Sequence, residues 1–203
     1  MLIKAKLLSK FLRDDGPDGL TIVPLPDLST FEDSGAASID LRLGRWFTTF
    51  RPTRMSRLEV ARQGQAPANE AGLTKLHYVP FGDDFTLHPG SFVLGITLEW
   101  LRLPPGLGGF VGGKSSWGRR GLIIETAAGI HPGFSGCLTL EMTNLGEVPI
   151  AIIPGMPICQ VVFHKTSDLD ALNQSAFNGR RKPNLGVIRT DPILEKLMRP
   201  IPS

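Results

Sequence analysis

Apolar residues at Leu2, Ile3, Leu7, Leu8, Phe11 and Leu12 follow a spacing close to the period of one short amphipathic helix. Asp14-Asp15-Gly16-Pro17 then supplies the stop. Thr21-Ile22-Val23-Pro24 predicts a short strand, and Ser38-Ile39-Asp40-Leu41-Arg42-Leu43 alternates apolar and polar residues as a half-buried strand does. Apolar runs then recur at Ser91–Leu98, Gly121–Ile124, Gly136–Met142, Val148–Ile153 and Ile158–Phe163, the last two separated by Pro154-Gly155. Short strands punctuated by such turns predict a mainly β protein, an antiparallel barrel or jelly roll with one short N-terminal helix. Arg51–Lys75 is polar and aperiodic, which predicts a surface insertion. A helical turn is expected at Asp168–Ala171, and the polar stretch from about 172 to 203 is expected to be a mobile tail.

Composition narrows the picture. The chain has 203 residues, 41% of them hydrophobic, which suits a single domain over 1–203. A formal net charge of +3 with no long basic run argues against nucleic-acid binding, and Arg180-Arg181-Lys182 is the densest cationic cluster. Cys137 and Cys159 sit inside apolar runs and read as buried free thiols of a reducing compartment. No stretch approaches a membrane span and no signal peptide is evident, so a soluble cytoplasmic protein is expected. His77, His88, His131 and His164 show no metal-ligand spacing, and neither a dinucleotide fingerprint nor a Walker loop is present.

Three segments could carry chemistry. Gly113-Lys114-Ser115-Ser116-Trp117-Gly118-Arg119-Arg120-Gly121 combines glycines, hydroxyls and cations, either as an anion-binding loop or as a polar turn with a salt-bridged arginine. In a helical turn Ser115 and Arg119, four residues apart, share a face. Glu141 alternates with apolar neighbours in Leu138–Asn144, so it is either a solvent-facing strand residue or a partly buried carboxylate suited to general-base work. Ala127–Phe134 offers small residues beside a Pro132-Gly133 turn, with His131 more simply read as structural.

Taken in order, these segments resemble the dCTP deaminase branch of the trimeric dUTPase superfamily. The resemblance runs through Ala37–Gly44, Leu87–Gly90, Gly113–Arg119, Ile130–Gly136, Leu138–Glu141, Pro154–Met156 and Ile158–Phe163. It implies a distorted jelly roll assembled as a homotrimer with active sites between subunits. It also implies zinc-free deamination of dCTP to dUTP and ammonia, with Mg²⁺ arriving on the triphosphate. Glu141 matches the catalytic glutamate, and Ser115 and Arg119 the serine and arginine that work with it. Lys114, Ser116, Ala127, Ile130, His131, Gln160, Phe177 and Arg180 fall at positions expected to meet the nucleotide.

Departures from the family pattern accompany the matches. His131 replaces an aspartate, which argues against a dUTPase or a bifunctional enzyme. Lys114 replaces an arginine and loses its bidentate fork. In the tail, Ala176, Phe177 and Arg180 stand where lysine, tyrosine and glutamine are expected. The altered tail keeps open a nucleotide-binding regulatory homologue without turnover; a dUTPase-like pyrophosphohydrolase is the other alternative, with His131 the feature against it.

Overall fold

A computed structural model describes residues 2–51, 70–125, 129–166, 178–186 and 192–197. In chain order the first elements are α1 (Ala5–Leu12), β1 (Thr21–Val23), α2 (Leu28–Asp33), β2 (Ser38–Arg42), β3 (Trp46–Phe50), α3 (Glu70–Leu73) and β4 (Thr74–Tyr78). Then come β5 (Phe85–Leu87), β6 (Phe92–Ile96), β7 (Trp100–Arg102), β8 (Leu107–Gly113), α4 (Ser115–Gly118) and β9 (Leu122–Glu125). The remainder are β10 (Gly129–Ile130), β11 (Ser135–Gly136), β12 (Thr139–Asn144), β13 (Ile150–Ile152), β14 (Pro157–Lys165) and α5 (Pro192–Leu197). The protein is mainly β with a short N-terminal helix.

Helix α1 turns Ala5, Leu8, Ser9 and Leu12 inward, the i, i+3, i+4, i+7 stripe of an amphipathic helix. It begins later than the apolar spacing predicts. The Ile3 amide donates to the Phe163 carbonyl at 3.0 Å, so the first residues pair with β14 instead of coiling. Helix α2 lies between predicted elements; Asp27 caps it by accepting from the Ser29 amide and from the hydroxyls of Ser29 and Thr30. Those bonds hold the Asp27 carboxyl below its ordinary range.

The described strands form four sheets with antiparallel pairings. Five strands run in the order β4-β3-β6-β12-β9 and four in the order β10-β8-β14-β2; β1-β7-β11 and β13-β5 complete the set. Leu41, Leu43, Phe47, Leu140, Met142, Ile158, Val161 and Phe163 are fully buried in one continuous core. Strand β2 shows the alternation read from the sequence, with Ile39 and Leu41 inside. Of the expected insertion, residue 51 and 70–75 are described, and 70–75 contains α3 and the start of β4, whose strand pairs with β3. Part of the expected mobile tail, 178–186, runs against the body of its own chain. The turn expected at Asp168–Ala171 lies outside the described residues.

Candidate active site

Strand β12 buries Leu140, Met142 and Asn144 and turns Thr139, Glu141 and Thr143 the other way. In the single chain Glu141 is exposed, and its carboxylate has no hydrogen-bond or ion-pair partner among the described residues. Register sets it opposite Leu94 of β6 and opposite Glu125 of β9. Directly opposed residues share a face, with Cβ atoms about 4.5–5.5 Å apart. Glu125 was missed in the sequence, where Gly121–Ile124 drew attention only as an apolar run; the carboxylate closing that run was the available signal.

Asn144, two residues beyond Met142, fastens the exit of β12. Its Nδ2 donates to the carbonyls of Leu87 at 2.9 Å and Val148 at 2.8 Å, and its Oδ1 accepts from the Gly146 amide at 2.9 Å. The same exit is crossed by the end of the Gly113–Gly121 loop, where the Leu145 amide donates to the Gly121 carbonyl at 2.8 Å. Gly121 has φ +90°, and a Cβ there would lie 2.7 Å from the Gly146 nitrogen. Only glycine fits a left-handed backbone packed this closely.

Upstream, α4 supplies the expected helical turn: the Arg119 amide donates to the Ser115 carbonyl at 3.0 Å, which sets both residues on one face. The Trp117 indole donates to the Pro157 carbonyl at 2.7 Å, and Arg120 donates to the Ser116 carbonyl at 2.6 Å. These contacts leave Ser115, Ser116 and Arg119 exposed, with no side-chain partner among the described residues. Lys114 differs: its ammonium is ion-paired with Asp40 of β2. Beside it, Gln160 of β14 stands opposite Asp40 and Gly112, and its Oε1 accepts from the Ser38 hydroxyl at 3.2 Å.

A second group forms around β10 and β11. Ile130 is buried opposite Gly109, and His131 is exposed at the start of a turn closed by the Phe134 amide on the His131 carbonyl. The tail runs alongside. The Gly179 amide donates to the Ser135 carbonyl at 2.7 Å, and the Cys137 amide donates to the Arg180 carbonyl at 2.9 Å. Arg180 is therefore fixed through its backbone beside the His131 turn. Ala127 and Phe177 lie outside the described residues.

Other ionisable groups sort away from this surface. Cys137 and Cys159 are buried and free, and burial pushes their thiols up to about 11 and about 12. Thiols held protonated in this way are poor nucleophiles. Glu99 is buried with its carboxylate on the Arg42 amide at 2.7 Å and guanidinium at 3.0 Å; burial raises its pKa despite these bonds. Among the described residues no group of three or more His, Cys, Asp or Glu side chains could hold a metal ion.

A family model described as dCTP deaminase-like matches residues 18–166, from the approach to β1 through the end of β14. The chain belongs to the dCTP deaminase-like family. It is 39% identical over 166 residues to a dCTP deaminase of Halorubrum lacusprofundi, covering 80% of this chain and 76% of that protein. It is 41% identical over 154 residues to a dUMP-forming dCTP deaminase of Corynebacterium diphtheriae, covering 72% and 79%. A solved 2'-deoxycytidine 5'-triphosphate deaminase from Agrobacterium tumefaciens superposes with a TM-score of 0.56 at 22% identity. That likeness covers 80% of this chain and 47% of the other, and it shows the shared fold.

Membership in the dCTP deaminase-like family bears out the expectation of a hydrolase of the deaminase class acting on a cytosine nucleotide. The expected product, dUTP, is corrected. The Corynebacterium relative and six further relatives are dUMP-forming dCTP deaminases. The expectation had leaned on the replacement of an aspartate by His131. An exposed imidazole on the same turn still offers a ring nitrogen that can hydrogen-bond a water, so the replacement leaves a polar group at that place.

Proposed function

We propose that the chain hydrolyses dCTP at two bonds, releasing ammonia from C4 of the base and pyrophosphate from the 5′ end, and leaving dUMP. In the first step water adds to C4; Glu141 takes its proton and passes it to N3, then takes the proton of the new C4 hydroxyl and gives it to the amine, which leaves as ammonia while the C4 carbonyl forms. General acid–base transfer of this kind contributes about 10²–10⁴-fold, and positioning and electrostatics supply the remainder. Ser115 and the Ala127 backbone hold the water, and Arg119 orients the carboxylate. In the second step water attacks the α-phosphorus and the bond to the bridging oxygen breaks. Ser116, Lys114 and Arg180 are assigned to the phosphates, whose charge Mg²⁺ would share, and Ile130, His131, Gln160 and Phe177 to the sugar and base.

The observation that carries this reading is the pairing of two elements in a dCTP deaminase-like chain. Glu141 lies on an outward strand face, and the Ser115–Arg119 turn is tied through Gly121 to the exit of that same strand. An exposed catalytic carboxylate needs covering before water can be excluded. We assign that cover to assembly: 1–203 acts as one domain with a distorted jelly-roll body, and three copies associate so that a neighbour closes each site. No helix among the described residues is long and apolar enough to cross a membrane.

Incubation with dCTP and Mg²⁺, followed by measurement of ammonia, pyrophosphate and the uracil nucleotide, tests the reading. Equal molar amounts of ammonia, pyrophosphate and dUMP are expected. Tight dCTP binding with no ammonia over many turnover times would overturn it in favour of a regulatory role.

A further inference from the structure

Arg180, Arg181 and Lys182 form the densest run of positive charge in the chain, yet the fold gives the three residues different surroundings. The Arg181 guanidinium carbon sits 4.8 Å from the centre of the Trp100 ring, at the start of β7. The Lys182 ammonium sits 4.2 Å from the centre of the Trp46 ring, at the start of β3. Trp46 is fixed edge-on to Tyr78, with ring centres 4.9 Å apart. Tyr78 in turn carries Arg45 over its own ring. Backbone contacts pin the segment on both sides of the two cations. Gly179 and Arg180 bond to Ser135 and Cys137 upstream, and the Thr48 hydroxyl donates to the carbonyl of buried Pro183 downstream.

Two of the three cations are thus spent on aromatic faces. The Arg180 side chain is exposed and has no partner among the described residues, while its backbone is bonded beside the His131 turn. We propose that Trp46 and Trp100 are positioning residues for the nucleotide site. As platforms for Lys182 and Arg181 they seat the C-terminal segment across β3, β7 and β11, and so present the Arg180 guanidinium toward the phosphates. This rests on the assignment of Arg180 to the phosphates made above. A cation over an exposed ring is worth a small factor alone, so the two platforms work together.

The test uses the full chain and reads two quantities: tryptic cleavage after Arg180 and Arg181, and the KM and kcat for dCTP. Trp46→Leu with Trp100→Leu, and separately Arg181→Gln with Lys182→Gln, should speed cleavage after residue 180 by about five- to thirty-fold. Both pairs should raise KM by a similar factor and leave kcat near the wild-type value. Lys182→Arg, which keeps a cation over Trp46, should retain slow cleavage and low KM in an Arg181-intact chain. The glutamine pair alters exposed side chains only, so it reports even where loss of the tryptophans impairs folding. Unchanged cleavage in the glutamine pair overturns the seating. Faster cleavage with unchanged KM overturns its link to the nucleotide. Arg180→Ala, read by KM alone because it removes the cleavage site, separates the two layers: unchanged KM there, with faster cleavage in the two double variants, removes Arg180 from the site and leaves the reading of Glu141 standing.

Discussion

Replacing Gly121 by alanine strikes the junction between the Ser115–Arg119 turn and the strand that carries Glu141. The backbone at Gly121 has φ +90°, where an L side chain costs about 1–2 kcal/mol. The new Cβ would also sit 2.7 Å from the Gly146 nitrogen and 2.8 Å from its Cα, both backbone atoms that cannot swing aside. Relieving such an overlap costs about 1–3 kcal/mol more. The total, about 2–5 kcal/mol, corresponds in a chain of this size to a fall in Tm on the order of 10 °C. Surviving folded molecules must hold the turn displaced from β12, and a shift near 1 Å costs about 100-fold in rate. Gly146→Ala is the control: its Cβ would meet the Asn144 Oδ1 at 3.2 Å and the Arg120 carbonyl at 3.4 Å, with the Gly121 Cα farther away at 3.7 Å. Thermal denaturation and ammonia release on both variants decide the matter. Gly121→Ala with wild-type Tm and rate, or equal damage from Gly146→Ala, would refute the reasoning.

Three further outcomes are expected. Asn144→Ala strips partners from two carbonyls and an amide and should destabilise the fold by about 3–5 kcal/mol in urea titration; Asn144→Asp, which turns an oxygen toward both carbonyls, should be worse. Burial raises the Glu99 carboxyl above 4.5, so its contribution to stability is complete below that value and is lost as pH rises through the raised folded value. Glu99→Gln keeps an acceptor for the Arg42 amide and should therefore gain stability relative to wild type as pH increases; a relative loss would contradict this. Lys114→Met removes a partly exposed ion pair with Asp40 and should cost under about 1 kcal/mol of stability while raising KM for dCTP.

Local periodicity carried the sequence a long way. It located α1, β2, β9, β13 and β14, and the alternation around Glu141 correctly gave the two faces of β12. Strand β8 stayed hidden because Leu107–Gly113 contains four glycines, which carry no side chain to alternate. Their reason lies elsewhere in the chain: a Cβ at Gly108 would strike the His164 ring, and one at Gly113 would press on Ile124. Strand β3 reads Trp-Phe-Thr-Thr-Phe, with no clean period, because adjacent residues Phe47 and Thr48 are both buried.

At the site, the turn pairing Ser115 with Arg119 was legible from spacing alone. The opposition of Glu125 to Glu141 was not, since register between strands sixteen positions apart leaves no local mark. The contacts of the described tail residues left no local mark either. Arg181 and Lys182 find aromatic faces more than eighty residues earlier in the chain, a pairing that polar composition does not announce.

Ammonia release from dCTP by Glu141→Gln, measured alongside dCTP binding to the same sample, bears most directly on the carboxylate at the centre of the mechanism. Glutamine preserves size and one acceptor oxygen but cannot shuttle a proton. Binding within a few-fold of wild type, with release slowed by about 10²–10⁴-fold, is the predicted result. Release at the wild-type rate would contradict it.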